Sequence, residues 1–493
     1  MADTVSSTPT ETRPPGPRAG LGLAALTAIV VGSMIGSGIF ALPSQMAGSA
    51  APGPLLIGWL ITGVGMLTLA FVFQTLASRK PEVDGGVYGY ARAGFGNYIG
   101  FTSAFGYWLS AWVGNVAYLV LLFSTLGYFF GDAFEGGTTV LAIIGASIVL
   151  WIVHAMTLRG VQTAAFVNVL VTIAKVVPIL TFIAIAAVGF RAGLFTADFW
   201  GRNTQIDGAP LGDTMTQVKN MMLVTVWVFI GIEGAAVYSQ RAARREDVGR
   251  ATVLGFAGVL ALLLLVNLLS YGLMAQADLA GVPDPSMAGV LENEVGGWGA
   301  AFISIGLIIS LLGALIAWVM LCAEILRLPA LENVMPEALA RENAHGAPAN
   351  ALWLTNVCVQ VMLLWTLANE STYLNLVLLA TSLILLPYLW SAAYQVLLAV
   401  RGETYESGHG RTRDLIVGVI ALAYAVWLVY AGGWQYLLIA ALFYLAGTAL
   451  YLWARRESRL PAFTMPERVV VTVVAVTSVA AVLLMATGNL SIL

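Results

Sequence analysis

The chain has 493 residues, 59% of them hydrophobic and only 10% charged, with a mean hydropathy of +0.86. A water-soluble globular chain carries about 25% charged residues, so the composition excludes one and indicates a polytopic membrane protein. A formal net charge of -3 argues against a nucleic-acid partner, the two cysteines Cys322 and Cys358 exclude a disulfide scaffold or a Cys-based zinc site, and the scattered His154, His345 and His409 suggest no metal cluster.

Residues 1–20 are polar and Pro-rich, and read as a disordered cytoplasmic tail and not a signal peptide. Apolar runs of about twenty residues, enough to cross roughly 30 Å of hydrocarbon, begin near Leu21, Pro54, Gly96, Thr138, Ala164, Thr216, Thr252, Trp298, Ala351, Tyr373, Asp414, Gly433 and Val469, giving thirteen candidate spans. The stretch from Gly96 to Phe130 accommodates one tilted helix with a short surface helix. With the N-terminus inside, every one of the 23 basic residues falls in the tail or in cytoplasmic loops except Arg191, Arg202 and Lys219 outside and Lys175 within a span. That asymmetry predicts a cytoplasmic N-terminus in a multi-pass protein of the cell membrane, and thirteen crossings then place the C-terminus outside. No extramembrane segment is long enough for a separate soluble domain. Function is therefore expected among the helices, as in transporters built from inverted repeats with broken helices.

The first span contains Gly32-Ser33-Met34-Ile35-Gly36-Ser37-Gly38-Ile39-Phe40. Glycine costs about 1 kcal/mol relative to alanine in a helix interior. Gly32 and Gly36 alone form a close-packing GxxxG face, but Ser37 and Gly38 extend the disruption to where an unwound turn would aim free N–H groups at an anion. The sixth span contains Trp227-Val228-Phe229-Ile230-Gly231-Ile232-Glu233-Gly234, with glycines bracketing a carboxylate. Matched breaks in helices 1 and 6 are what two inverted five-helix repeats predict, supplying N–H donors for a substrate carboxylate and free carbonyls for its amine.

Two ionisable residues lie inside spans, where each costs about 2.5–3.5 kcal/mol on insertion scales. Glu233 is expected either to pair with a buried Arg or Lys, to be held protonated by hydrogen bonds, or to serve the site by attracting a cation, moving a proton or coupling neighbouring helices. Lys175, in Thr172-Ile173-Ala174-Lys175-Val176-Val177-Pro178, either pairs with Glu233, snorkels to an interface, or stands in for a bound cation beside the first helix, which would make transport independent of sodium. Among the aromatics, Trp227, Trp318 and the third-span residues Tyr107, Trp108 and Trp112, with Asn115, share helices with these features. An aromatic face contributes about 0.5–2 kcal/mol to holding a cation.

The segments GSMIGSGIF, DGGVYGYARAGFG, GYWLSAWVGN and VWVFIGIEGA, in this order, resemble the basic amino acid and polyamine antiporters of the amino acid-polyamine-organocation superfamily. ARENAHGAPANALWLTN and the additional C-terminal span are most like the arginine/ornithine exchange branch, with clear similarity to arginine/agmatine antiporters. The resemblance implies an all-α integral membrane protein with a LeuT-like 5+5 inverted repeat and 12 to 13 transmembrane helices. Residues 21–190 would form the first repeat, 191–214 an extracellular loop, 215–400 the second repeat and 401–493 the C-terminal helices. By the same resemblance Met34, Ser37 and Gly38 hold the substrate carboxylate, carbonyls around Trp227 and Ile230 hold the amine, and Trp227 stacks on the cationic side chain. Asn115 and Trp318 contact the substrate, Thr381 and Ser382 are further candidates, Tyr107, Glu233 and Lys175 gate or couple, and Gly36, Gly38, Gly231 and Gly234 mark the breaks.

The implied activity is sodium-independent exchange of a basic amino acid for a related cationic metabolite, arginine for ornithine being the leading pair; a proton-coupled amino acid importer is the alternative. No enzyme activity, cofactor or metal is implied, the partners are substrate, counter-substrate and the lipid bilayer, and there is room for a homodimer. Two positions depart from the family. Ala111 replaces the cysteine of the arginine/agmatine relatives, and Arg327-Leu328-Pro329-Ala330-Leu331-Glu332-Asn333 replaces a small-residue run ending in Asp-Gly, with a proline expected to end the eighth helix.

Overall fold

The computed structural model describes residues 22–160, 165–233, 245–369, 372–405 and 408–490. The first apolar run is split into α1 (Leu23–Met34) and α2 (Gly38–Ser49), followed by α3 (Pro52–Arg79), α4 (Val87–Phe95), α5 (Asn97–Phe130), α6 (Val140–Leu158) and α7 (Ala165–Gly189). A short α8 (Ala192–Thr196) and a two-residue antiparallel pair, β1 (Gln205–Ile206) with β2 (Ala209–Pro210), lead to α9 (Thr214–Trp227). Beyond it come α10 (Arg245–Ser270), α11 (Gln276–Ala280), α12 (Ser286–Val295) and α13 (Gly297–Leu331). The chain continues through α14 (Ala349–Asn369), α15 (Tyr373–Arg401), α16 (Arg411–Ala431), α17 (Trp434–Glu457) and α18 (Met465–Ala486).

Eleven unbroken helices among the described residues are long and apolar enough to cross a membrane. With the interrupted first and sixth runs they account for every apolar run of the sequence, α18 included. The protein is an all-α, LeuT-like membrane fold.

The stretch ending at Phe130 differs from expectation. It is a single 34-residue helix, α5, about 50 Å long at about 1.5 Å per residue, and the short helix is α4, which precedes it. The most apolar window of the α5 segment is 89% buried, against 11% for α18. α5 is therefore the scaffold on which α13 and α15 pack, while α18 faces lipid along most of its length. Small residues allow close approach where it matters: a Cβ on Gly306 of α13 would lie 2.5 Å from Pro178 Cγ, so α13 seats directly against α7, the helix that carries Lys175.

α18 is fixed at its start. Thr464 and Glu467 form a capping box, Oε2 of Glu467 accepting the Thr464 N–H at 2.7 Å, while its Oε1 accepts the N–H of Tyr98 in the first turn of α5 at 2.7 Å. Pro329 does not end α13 as expected; the helix runs two residues further, to Leu331. A proline so near a C-terminus sacrifices one helical hydrogen bond, and the carbonyl of Pro329 itself receives Val334 and Met335 N–H groups at 2.8 and 3.1 Å.

Candidate substrate site

Both predicted breaks are present. α1 stops at Met34, Ile35 leaves helical geometry at ψ 92°, and α2 restarts at Gly38 with Ser37 as its first flanking residue. The first amides of a helix have no intrahelical acceptor, and here the residues at the break, Met34, Gly36, Ser37 and Gly38, line a cavity of about 1490 Å³. That is a ready seat for a carboxylate. In the sixth run α9 ends at Trp227, and residues 228–233 form successive turns in which Phe229, Ile230 and Ile232 donate to the carbonyls of Val226, Trp227 and Phe229. Gly231 makes this possible with φ at 107°, a conformation that costs a side-chain-bearing residue dearly. Gly234 lies outside the described residues.

Trp227 stands between the two breaks. A Cβ on Gly38 would come within 2.7 Å of its Cδ1 and 2.6 Å of Val228 Cγ1, so only glycine lets the halves of the site meet this closely. The indole packs at 6.1 Å, tilted 59°, on the ring of Tyr118. Its Nε1 donates to Tyr373 Oη at 3.3 Å, and Tyr373 is hydrogen-bonded to Ser37 Oγ at 3.0 Å. Trp227, Tyr373 and Ser37 thus close one end of the cavity. At the opposite end its walls continue past Tyr88, Asp84, Lys80, Glu324 and Arg327, where Glu332 joins α13 to α4 by accepting the Tyr88 hydroxyl at 2.5 Å and pairing with Arg92. The cavity opens toward this end, where Lys80, Arg92 and Arg327 alternate with Asp84, Glu324 and Glu332.

Glu233 is held by Tyr107 Oη at 2.8 Å on Oε1 and by Tyr388 Oη at 2.9 Å on Oε2, and it also accepts the Gly231 N–H at 3.1 Å. One carboxylate therefore ties the broken helix to α5 and α15. No basic residue among the described ones pairs with it, so the expected alternative of a Glu233–Lys175 pair is not formed. Lys175, buried on α7, instead donates from Nζ to the carbonyl of Gly32 at 3.2 Å, one turn before the first break. The α13 residues lining the cavity beside it are Gly313, Ala314 and Ala317, which offer no side-chain oxygen to a metal ion.

The structure brings most of the predicted residues to the cavity wall: Met34, Gly36, Ser37, Gly38, Tyr107, Lys175, Trp227, Ile230, Gly231, Glu233 and Trp318, with Ala111 beside them. It leaves three elsewhere. Asn115 is buried and turned toward α13, its Nδ2 3.7 Å from Cys322 Sγ, and its Oδ1 has no partner among the described residues. Thr381 and Ser382 donate to the carbonyls of Val377 and Leu379 on their own helix, both at 2.7 Å. Tyr118, Tyr373 and Tyr388 were not anticipated. The signal for them was a phenol inside or at the end of an apolar run, since a buried hydroxyl must find a partner.

Two interrupted helices facing each other across a cavity that is open at one end and latched at the other define a secondary transporter of the alternating-access type. The chain belongs to the amino acid permease family, whose model matches residues 21–491. It is 58% identical over 463 residues to an arginine/ornithine antiporter of Pseudomonas aeruginosa, covering 92% of this chain and 95% of that one. It is 44% identical to an L-lysine transport protein of Corynebacterium glutamicum, covering 95% of each. With an arginine/agmatine antiporter of Chlamydia abortus it shares 39% identity, over 95% of this chain and 97% of the relative.

Proposed function

We propose that this protein exchanges a basic amino acid for a related cationic metabolite across the cytoplasmic membrane, arginine for ornithine being the leading pair, without sodium. The observation that carries the reading is that the start of α2 at Ser37 and Gly38 and the indole of Trp227 line one cavity. A carboxylate suits the first and a guanidinium or ammonium the second. The α-amine would bind to carbonyls of the turns following Trp227, and Trp318 would bound the side chain from α13. Asn115 would need to rotate from Cys322 to reach it.

In this reading the open end of the cavity and the N-terminus are cytoplasmic, the side on which the loops carry most of the Lys and Arg, so the conformation is inward-open. Residues 21–190 and 215–400 act as the two repeats that rock against each other, with 401–493 as peripheral helices that leave room for a homodimer. Lys175 supplies the positive charge that a bound cation would otherwise bring to the carbonyl of Gly32. Replacing Lys175 by Ala leaves that carbonyl unpaired in a buried place, and exchange is expected to fall about tenfold or more with protein yield retained; rates in proteoliposomes normalised to incorporated protein check this, and normal rates would reduce Lys175 to a packing residue.

The exchange itself is tested by counterflow. Vesicles loaded with ornithine should accumulate labelled arginine in the absence of sodium and of a pH gradient, and empty vesicles should not. Uptake into empty vesicles driven by an inward proton gradient would replace this reading by proton-coupled import. Comparing uptake with and without a membrane potential reports whether the exchanged pair is matched in charge.

A further inference from the structure

The closed end of the molecule has a second latch, outward of Tyr373. The loop between α11 and α12 places Asp284 against α2, where Oδ1 accepts from Ser44 Oγ at 3.3 Å and Oδ2 from Gln45 Nε2 at 3.1 Å. Next to it Ser286 Oγ accepts the Ser44 N–H at 3.1 Å. Ser124 of α5 donates to the main-chain carbonyl of Asp284 at 2.6 Å, so the loop is anchored to the scaffold helix as well as to α2, on which Gln276 of α11 also holds the carbonyls of Ala47 and Ala50.

Every side chain that donates to this carboxylate is neutral, and no basic side chain among the described residues forms an ion pair with it. Gln45, only 6% exposed, has an Oε1 without a partner among the described residues. Ser44 and Gln45 give the carboxylate hydrogen bonds without a compensating charge, whereas an ammonium or guanidinium gives it hydrogen bonds together with the opposite charge, the guanidinium through two parallel bonds. A guanidinium or ammonium arriving here therefore outcompetes Ser44 and Gln45 once it can reach the carboxylate. We propose that Asp284 changes partners during the transport cycle: it holds α2 shut through Ser44 and Gln45 in the conformation seen here, and it receives the cationic side chain of the incoming substrate when α2 moves away. The proposal rests on the reading of the protein as an exchanger of basic amino acids. It makes Asp284 a positioning residue for substrate entering from the outside and leaves the inner face indifferent to it.

The other charged or titratable groups on the elements around Asp284 are Asp278 on α11, Glu292 and Glu294 on α12, Tyr98, Tyr107, Tyr118 and Tyr128 on α5, and Tyr373, Tyr388, Tyr394 and Arg401 on α15, with none on α2, and Glu294 is engaged by Arg191. Burial pushes the Asp284 carboxyl up from 3.8 to about 7 in the closed form. A group whose affinity for protons is higher when closed favours closure fully below its open-form value, and that advantage is lost as pH rises through its closed-form value. External KM should accordingly fall as outside pH rises toward about 7.

The test is exchange by the full chain in proteoliposomes of one orientation, with KM measured separately for arginine outside and inside. Asp284→Asn is expected to raise the external KM about tenfold, the loss of one charge-assisted contact, and to abolish its dependence on outside pH, with the internal KM unchanged. Asp284→Glu should recover part of the loss. The double variant Ser44→Ala, Gln45→Ala should act in the opposite direction and lower the external KM, because it frees the carboxylate. An external KM that stays put in Asp284→Asn, rises equally on both faces, or rises in the double variant overturns the proposal while leaving the exchanger intact. Wild-type protein that ignores cationic amino acids overturns the functional reading itself, and the role of Asp284 with it.

Discussion

Replacing Trp227 by Leu should weaken arginine binding by about tenfold to a hundredfold, whereas Phe or Tyr at the same place should cost about threefold or less. The difference follows from what the ring does. Its face provides the cation with about 0.5–2 kcal/mol of attraction, and its bulk fills the space between Gly38 and Gly114, whose added Cβ atoms would lie 2.7 and 3.1 Å from it. Leucine forfeits both, and a large-to-small change at a buried aromatic costs several kcal/mol where the site cannot collapse. Phenylalanine keeps the face and most of the bulk but loses the Nε1 contact to Tyr373 at 3.3 Å, so it should loosen the outer closure more than the binding. Equilibrium binding of labelled arginine to purified variants decides the matter. Equal losses in Leu, Phe and Tyr variants would refute stacking.

Glu233→Gln is expected to slow turnover about tenfold or more while altering arginine affinity by less than about threefold. The carboxylate accepts two phenol hydroxyls and one amide N–H. A glutamine carries one acceptor oxygen in place of two and adds an NH₂ that has only donors around it unless a tyrosine reverses its proton. The broken helix would then be fastened to either α5 or α15 but not equally to both. Since the tie spans elements that must separate and rejoin, the penalty falls on the conformational step and not on the bound state. Counterflow rates and equilibrium affinity, measured on the same preparation between about pH 5 and pH 8, separate the two effects; identical rates throughout that range would remove Glu233 from the mechanism.

The breaks, the buried charges and the principal indole were legible in the sequence because each violates what an apolar helix tolerates. Glycine pairs, a carboxylate and an ammonium in hydrocarbon all carry a free-energy cost that a merely structural helix avoids. What Glu233 bonds to was not legible, since Tyr107 and Tyr388 lie 126 and 155 residues away along the chain. Nor was the direction of Asn115, Thr381 or Ser382, because a polar residue in a helix has the option of its own backbone or a neighbouring helix as partner. That Pro329 leaves α13 unbroken was not legible either, because the one helical hydrogen bond its missing N–H forfeits is offset by a local turn, Val334 and Met335 donating to its carbonyl, which spacing does not announce. Asp284 does not stand out in the sequence because an acid in an outer loop is ordinary; only its proximity to Ser44 and Gln45 makes it otherwise.

The shared carboxylate of Glu467 has a bearing on how the C-terminal region can be altered. A lipid-facing helix invites the assumption that it is dispensable, and deleting it would remove very little buried surface. Yet shortening the chain ahead of Thr464 would strip the Tyr98 amide of its acceptor at the very start of the central rod, where α13 and α15 lean. Truncated variants should therefore be judged by the thermal resistance of the whole bundle, and a carboxylate reintroduced near Tyr98 would be the natural repair.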